Sequence, residues 1–183
     1  MKFLKGTLII ASPQLADPNF AQAVVLMIEH DENGAFGVVL NRPTDRTVEE
    51  LWDEISADPC QCQQAISVGG PVTGPLLAVH KQNSLGEAEI MPGVFIAAQR
   101  EYLDQLVREP AAEFRLFSGY AGWATGQLEN EMKMGGWIST KATEDYIFGE
   151  TGDLWNRVSR DITRHVLGAE KSLKHFPDDP SVN

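Results

Sequence analysis

The stretch from Glu113 to Trp137 constrains the fold of this chain more than any other. It opens with Phe114–Ser118, where apolar and polar residues alternate as they do in a half-buried strand. Gly119 and Gly122 follow, and glycine reaches positive φ without steric cost. The spacing therefore predicts that the strand turns sharply into a helix at these glycines.

Thr125 stands where the N-cap of that helix is expected, and Gly135 stands where a left-handed residue ends it. A strand-to-helix turn presents unpaired backbone N–H groups and the positive end of a helix dipole, both of which suit an anion. Tyr120 and Trp123 lie beside this point. The same pattern is typical of an ordinary glycine turn with core aromatic residues, so it names no ligand by itself.

Length and charge limit the classes of protein to consider. With 183 residues the chain is long enough for one domain, expected over residues 1–170, and residues 171–183 are expected to form a disordered tail. The formal net charge is -11, and the basic residues are dispersed. A protein that neutralises nucleic-acid phosphates needs clustered Lys and Arg, so we expect no direct contact with nucleic acid.

The sequence predicts a cytoplasmic protein without a membrane contact. No stretch is apolar over the roughly eighteen residues that a membrane-spanning helix needs, and Gly6–Ala11 resembles a first strand more than a signal peptide. Cys60 and Cys62 are too close for a favourable disulfide and lack a second ligand pair for zinc. They are expected to be exposed loop thiols, and we expect no metal and no cofactor.

The order of the predicted elements indicates the fold class. Val24–Glu29 and Phe36–Leu40 are strand-like runs joined by Asn33-Gly34, which is a strong hairpin signal. Further short strands are predicted at 66–68, 76–80 and 94–97, without the regular strand-helix alternation of a doubly wound sheet. This order favours an α+β fold with a mixed, largely antiparallel sheet.

The predicted helices have clear boundary signals. A capping-box pattern, T-x-x-E, precedes a helix at Val48–Ile55, and a second helix is expected at Gln99–Arg108. The last helix is expected to begin after Asp153 as its N-cap and to end before Gly168.

A search for catalytic groups identifies few candidates. Ser118 lacks the sequence context of a nucleophile elbow, and the histidines are far apart in the chain. His30, beside Asp31 and Glu32, is either a metal or acid–base site or part of a solvated hairpin turn, whereas His80 at the end of an apolar strand is expected to be structural. Glu129 and Glu131 lie two residues apart on the predicted helix, so they do not face each other and are interpreted as charges that favour the helix dipole.

Arg42 is the polar residue that we single out. It follows a strand that looks buried and precedes Pro43, so its guanidinium projects from a fixed point. Arginine binds carboxylates and phosphates through two parallel hydrogen bonds. In this acidic chain Arg42 can instead pair with an internal Asp or Glu.

Three motifs resemble those of the bacterial AlgH/YqgE family: GAFGVVLNRPT at Gly34–Thr44, GGPV at Gly69–Val72 and GYAGWATGQLENE at Gly119–Glu131. The resemblance extends from about Gly6 to Leu167. It implies a cytoplasmic bacterial protein whose mixed sheet curls into a pseudo-barrel with flanking helices. The family is often described as a transcriptional regulator, but the resemblance implies neither a DNA-binding motif nor a defined activity.

These features support three hypotheses. The first is a non-enzymatic regulatory or adaptor protein that influences transcription indirectly and binds a small anionic ligand or a protein partner where the motif loops converge. The second is an enzyme acting on a phosphorylated or acyl substrate, with His30 as base and Arg42 and the Gly119 turn as substrate ligands. The third is direct DNA binding, which the net charge disfavours. The candidate residues of the first hypothesis are Asn41, Arg42, Gly69, Gly70, Pro71, Tyr120, Gly122 and Trp123.

Overall fold

The computed structural model describes residues 3–15 and 17–173, with residues 168–173 as backbone only. Within these residues ten strands form one sheet. The strands are β1 (Thr7–Ala11), β2 (Val24–Asp31), β3 (Gly34–Val39), β4 (Pro43–Thr47), β5 (Ala65–Val68), β6 (Val72–His80), β7 (Ala88–Met91), β8 (Val94–Ala97), β9 (Phe114–Ala124) and β10 (Trp137–Lys141). The helices are α1 (Val48–Ile55), α2 (Arg100–Arg108), α3 (Gln127–Lys133), α4 (Glu144–Phe148) and α5 (Leu154–Leu173).

The sheet is mixed and curls into a half-barrel. Its strand order is β10-β1-β2-β3-β9-β6-β8-β7, and β5 joins β4 to β9 at the side of this path. The pairing of β5 with β9 is parallel, and the other pairs along the path are antiparallel. The predicted α+β fold, with a largely antiparallel, curled sheet and flanking helices, is confirmed.

Three apolar clusters attach the helices to the sheet. The first contains Phe117 of β9 and Val158 of α5, so it lies between the sheet and the last helix. The second contains Trp123 and places α3 on the opposite face. The third surrounds Trp52 of α1, which is fully buried against α2. Both faces of β9 meet a helix, and Phe114–Phe117 at its start, Arg115 included, are all buried.

Two local predictions are confirmed in detail. β2 and β3 form the expected hairpin around Asn33-Gly34. The helix α1 has the predicted bounds because Thr47 and Glu50 form the capping box. The Thr47 hydroxyl accepts from the Glu50 amide at 3.2 Å, and the Glu50 carboxylate accepts from the Thr47 amide at 2.8 Å.

The predicted turn at Gly119 is wrong, because β9 continues through Gly119 and Gly122 to Ala124. Gly119 adopts a φ of 72° inside the strand, where the pairing with β6 shifts register between Val72 and Leu76. The glycine therefore bends a continuous strand, as in a β-bulge. Because the pairing with β3 continues from Ala121 to Ala124, no helix N-terminus lies at this bend.

The boundaries of two helices also differ from prediction. α3 begins after Gly126, and Thr125 donates its hydroxyl to the Asn33 carbonyl at 2.9 Å instead of capping the helix. Gly135 has the expected left-handed φ of 77°. α5 continues past Gly168 to Leu173, because a single glycine costs only about 1 kcal/mol in a helix flanked by helix-forming residues. Residues 171–173 of the predicted tail are therefore helical, and 174–183 lie outside the described residues.

The two cysteines are more enclosed than expected. Cys60 is 4% exposed and packs in the cluster around Trp52, and Cys62 is half-buried beside it. Burial raises the pKa of the Cys62 thiol, which lowers its reactivity at neutral pH. The prediction of exposed loop thiols is wrong because the loop before β5 folds back over α1 and α2.

His80 is buried at the end of β6, as expected for a structural histidine. Its Nδ1 accepts a hydrogen bond from the Gln82 amide at 3.2 Å, so Nε2 carries the proton of the neutral ring. Nε2 has no hydrogen-bond partner among the described residues. Burial lowers the pKa of His80, and the charge of Glu87 opposes this effect.

We expect the free energy of unfolding to fall as the pH drops below about 6.5, the ordinary pKa of histidine. The pKa of His80 is lower in the folded state, so the unfolded chain binds more protons in this window and gains stability from them. His80→Asn keeps an acceptor for the Gln82 amide and should lose this part of the pH dependence in urea unfolding between pH 6.5 and 5. The exposed His165→Asn should keep it. Equal pH profiles for the wild type and His80→Asn would contradict the prediction.

Candidate functional site

Arg115 is a buried arginine at the centre of the fold, with 7% of its surface exposed. Its Nη1 donates to the Ile147 carbonyl at 2.9 Å, and its Nη2 donates to the Leu40 carbonyl at 2.6 Å and the Ser67 hydroxyl at 2.9 Å. All three acceptors are neutral. Among the described residues no carboxylate forms an ion pair with Arg115.

The charge of Arg115 is unusual for its surroundings. Burial lowers the pKa of the guanidinium to about 10, so it stays protonated at neutral pH. A buried charge without a counter-charge is costly, and buried arginines are normally paired. The chain has 26 acidic residues that could supply a partner, yet neutral groups hold Arg115. The site therefore keeps an unneutralised positive charge.

A cavity of about 460 Å³ lies against Arg115, and we call it the Arg115 cavity. β4, β5 and β9 form one wall, and the other comes from α4, the loop after it and α5. The lining residues are Pro43, Gln64, Ala65, Ser67, Arg115, Asp145, Phe148, Gly149, Glu150, Thr151 and Arg157.

Arg157 of α5 supplies a second guanidinium to this cavity. Its Nε is buried and has no hydrogen-bond partner among the described residues. Its Nη2 lies 3.3 Å from the carbonyl oxygen and 3.7 Å from the carboxylate of Asp145. The Arg157 side chain is 29% exposed and that of Asp145 is 77% exposed. Glu150, the other acid of the lining, is also exposed, so the two positive charges are more deeply buried than the two negative ones.

Tyr146 fixes the position of Arg157. The guanidinium carbon lies 5.7 Å from the centre of the Tyr146 ring, an arrangement that attracts the cation. The phenol donates to Asp161 of α5 at 2.6 Å. Burial, helped by this hydrogen bond to a carboxylate, raises the pKa of Tyr146 to about 12. α4 and α5 are thus joined beside the cavity.

A second cavity, of about 310 Å³, contains Arg42, and we call it the Arg42 cavity. Arg42 donates to the carbonyls of Asn41 and Ala21, and Asn41 holds the same turn by accepting from the Val24 amide at 2.9 Å. The turn places Gln22 at a φ of 54°, which is uncommon for a residue other than glycine. The lining residues are Gln22, Asn41, Arg42, Pro43, Thr151, Gly152, Asp153, Trp155 and Asn156.

The GGPV motif has a packing role. A side chain at Gly70 would overlap the Tyr120 carbonyl group and the Ala121 amide, and one at Gly69 would overlap the Gly119 carbonyl. The Gly69 amide donates to the Ser118 carbonyl at 2.8 Å. These glycines let the backbone of the motif lie directly on β9, and Pro71 beside them is exposed.

Tyr120, Gly122 and Trp123 line an apolar groove of about 600 Å³. The Tyr120 ring meets Phe36 edge to face at 6.0 Å. The indole of Trp123 is 5% exposed and packs in the cluster below α3. Gly122 pairs with Phe36 of β3. Phe36 precedes Arg42 by six residues, so the two can lie up to about 20 Å apart. The structure thus places Asn41 and Arg42 at one cavity and the three residues of β9 at the groove, and Gly69, Gly70 and Pro71 line neither.

His30 is 5% exposed and belongs neither to a solvated turn nor to either arginine cavity. Its Nδ1 accepts from the Leu4 amide at 3.1 Å, so Nε2 carries the proton and donates to Glu129 at 3.0 Å. His30 and Val24 are six residues apart on β2, which separates them by about 20 Å. Val24 is the residue whose amide binds Asn41, next to Arg42. His30 is therefore not positioned as a base for a substrate at Arg42.

The two glutamates of α3 also have structural partners. Glu129 binds His30, and this hydrogen bond lowers the pKa of the Glu129 carboxyl. Glu131 accepts from the indole N–H groups of Trp123 at 3.0 Å and Trp137 at 2.8 Å. Glu129 lies in the first turn of α3, as expected for a charge that favours the helix dipole, and both glutamates also bind buried side chains because the helix lies directly on the aromatic cluster.

The two arginines of the Arg115 cavity are absent from the sequence-predicted site. Arg115 was expected at a polar position of a half-buried strand, whereas both faces of β9 are covered. One sequence signal could have found it: an arginine within the apolar run FRLF, at the start of the longest strand-forming stretch. For Arg157 we find no comparable signal, since arginines are common on helices.

The protein is thus a curled α+β half-barrel. It has an arginine-lined cavity where the sheet meets α4 and α5. The model of the AlgH-like family matches residues 8–166. The chain therefore belongs to the AlgH-like family. None of the helices in the described residues is long and apolar enough to cross a membrane.

Relatives and solved structures agree with this membership. The chain is 35% identical to a UPF0301 protein of Streptomyces coelicolor, covering 98% of this chain and 95% of that one. It is 36% identical to a UPF0301 protein of Myxococcus xanthus, covering 94% and 96%. The solution structure of AlgH from Pseudomonas aeruginosa is 30% identical and superposes with a TM-score of 0.75 over 98% of this chain and 97% of that chain.

A crystal structure of DIP2367 from Corynebacterium diphtheriae is also similar. It is 25% identical and has a TM-score of 0.71, with 88% of each chain covered. The fold is thus shared by solved proteins of two bacteria.

Proposed function

We propose that this protein is a cytoplasmic, non-enzymatic regulatory protein that binds a small anion in the Arg115 cavity. One observation carries the proposal. Arg115 is protonated and only 7% exposed, its hydrogen-bond partners are all neutral, and it borders a cavity. A phosphate or carboxylate in this cavity would supply the missing counter-charge. A guanidinium has five N–H donors and Arg115 uses three of them on protein acceptors, so donors remain for such a ligand.

Arg157 supports the same proposal. Its buried Nε–H lacks an acceptor, and leaving such a donor unsatisfied costs about 1–3 kcal/mol. An anion between the two guanidinium groups would accept this hydrogen bond. The binding energy then comes from groups that the ligand-free protein leaves unsatisfied.

The alternatives have weaker support from the geometry. The enzyme hypothesis used His30 as base, and its ring is committed to Leu4 and Glu129. Direct DNA binding needs exposed cations, whereas Arg115 is buried in a chain of net charge -11. A protein partner, the other ligand class of the regulatory hypothesis, has the apolar groove as an available surface.

The proposal predicts a saturable rise in melting temperature with an anion, because a ligand of the native state stabilises it by RT ln(1 + [L]/Kd). Inorganic phosphate, nucleotides, phosphorylated sugars and carboxylates would be titrated at constant ionic strength. Arg157→Met should weaken binding of the active compound by at least about tenfold, the equivalent of one charge-assisted hydrogen bond. The measurement is a thermal-shift titration confirmed by calorimetry.

Arg164→Met is the matched control. It removes the same charge from the same helix, and its side chain is 77% exposed and outside the cavity. It should bind as the wild type does. A flat response to the whole panel, or equal losses in both variants, would contradict the proposal.

A further inference from the structure

The Arg115 and Arg42 cavities adjoin each other. Both are lined by Pro43, the first residue of β4, which directly follows Arg42. Both are also lined by Thr151, which precedes α5. Arg115 donates to the Leu40 carbonyl. Arg42 follows Leu40 by two residues, so the Cα atoms of Leu40 and Arg42 are at most about 7 Å apart. A ligand of a few carbon atoms can reach both arginines.

Arg42 brings a second unneutralised charge to this place. Its hydrogen bonds go to the carbonyls of Asn41 and Ala21, and among the described residues no carboxylate forms an ion pair with it. Asp153 lines the same cavity, but it binds Arg160 at 3.0 Å and Asn156 at 2.7 Å. The one acid in the lining of this cavity is thus already engaged by other groups.

The Arg42 cavity is a shaped polar site and not an exposed side chain alone. Asn41 and Arg42 together hold the turn at Gln22 in its left-handed conformation. Trp155 closes another side, where its indole N–H donates to the Ala11 carbonyl at 2.9 Å. The Ala21 carbonyl therefore holds Arg42 on one side of the cavity, and α5 lines the other side.

We infer that the ligand is a small dianion with two separated acidic groups, one held by Arg115 and Arg157 and the other by Arg42. This inference rests on the proposed function and specifies its ligand class. The shared chemistry includes dicarboxylates and compounds with one carboxylate and one phosphate. Two separate guanidinium sites select such a compound over a monoanion of the same length.

Matched pairs of acids test this selection. Glutarate and valerate have five carbons each, with two carboxylates and one carboxylate respectively, and succinate and butyrate form a four-carbon pair. Calorimetry at constant ionic strength should give at least about tenfold tighter binding for the dianion of each pair, the equivalent of one added charge-assisted contact. Inorganic phosphate, which is small enough for the Arg115 cavity alone, serves as the reference ligand.

Arg42→Met should reduce the glutarate-to-valerate preference to near one and leave phosphate binding unchanged. Arg42→Lys, which keeps the charge, should retain a part of the preference. Arg46→Met is the control, because Arg46 lies on β4 just after Arg42, pairs with Glu54 and is outside both cavities. It should keep the full preference.

The outcomes separate this inference from the proposed function. If phosphate binds and Arg157→Met abolishes its binding, but each dianion binds no tighter than its monoanion, the dianion inference fails and the proposed function stands. A preference that persists in Arg42→Met also overturns the inference. If phosphate and all four acids fail to bind the wild type, the proposed function fails.

Discussion

Gly70→Ala is expected to lower the free energy of unfolding by about 3 kcal/mol or more, or to prevent folding. The new Cβ would overlap the Tyr120 carbonyl group and the Ala121 amide, which are backbone atoms of β9. Backbone in a central strand cannot move aside as the end of a flexible side chain can. Urea unfolding followed by circular dichroism measures the effect.

Gly126→Ala separates this overlap from backbone strain. Gly126 also has a positive φ, 73°, but a Cβ there meets no atom within 4 Å. The variant should lose only about 1–2 kcal/mol, the cost of a left-handed conformation for a residue with a side chain. Equal losses in the two variants would show that the GGPV motif does not lie against β9 as described.

Arg115→Met is expected to destabilise the protein by about 3 kcal/mol. The change leaves the Leu40 and Ile147 carbonyls and the Ser67 hydroxyl without their donor in a buried place, at about 1–3 kcal/mol for each unsatisfied group. Relief of the desolvation of the charge offsets a part of this cost. Urea unfolding without added anion gives the measurement.

Ser67→Ala is the control for Arg115→Met, because it removes one neutral acceptor and keeps the arginine. It should cost about 1.5 kcal/mol, the lower end of the range for one hydrogen bond to a charged group. A stability of Arg115→Met equal to the wild type would show that the three hydrogen bonds contribute nothing net. Added phosphate should stabilise Ser67→Ala and should fail to stabilise Arg115→Met.

Local signals in the sequence were sufficient for much of the fold. The hairpin at Asn33-Gly34 and the capping box at Thr47 depend on neighbouring residues, so their structures followed from those residues alone. Gly119 was misassigned because a positive φ is compatible with both a turn and a bulge. The pairing of β9 with β3 and β6, which decides between them, involves residues distant in sequence.

The candidate site was less accessible from the sequence. Arg42 stands out locally, between a strand and a proline, and the structure places it at a cavity. Arg115 and Arg157 are 42 residues apart in the sequence, and they meet only when α5 packs beside β9. Their missing counter-charges are a property of tertiary burial, which no spacing in the chain records.

The most direct test of the central claim is to observe the arginine Nε–H groups by nuclear magnetic resonance during a titration with inorganic phosphate. The buried Nε–H of Arg157, which has no acceptor in the described structure, should move downfield and saturate, and Arg115 should respond with the same dissociation constant. The exposed Arg164 should not move. If neither Arg115 nor Arg157 responds, or if all three arginines shift alike without saturation, the cavity is not an anion site.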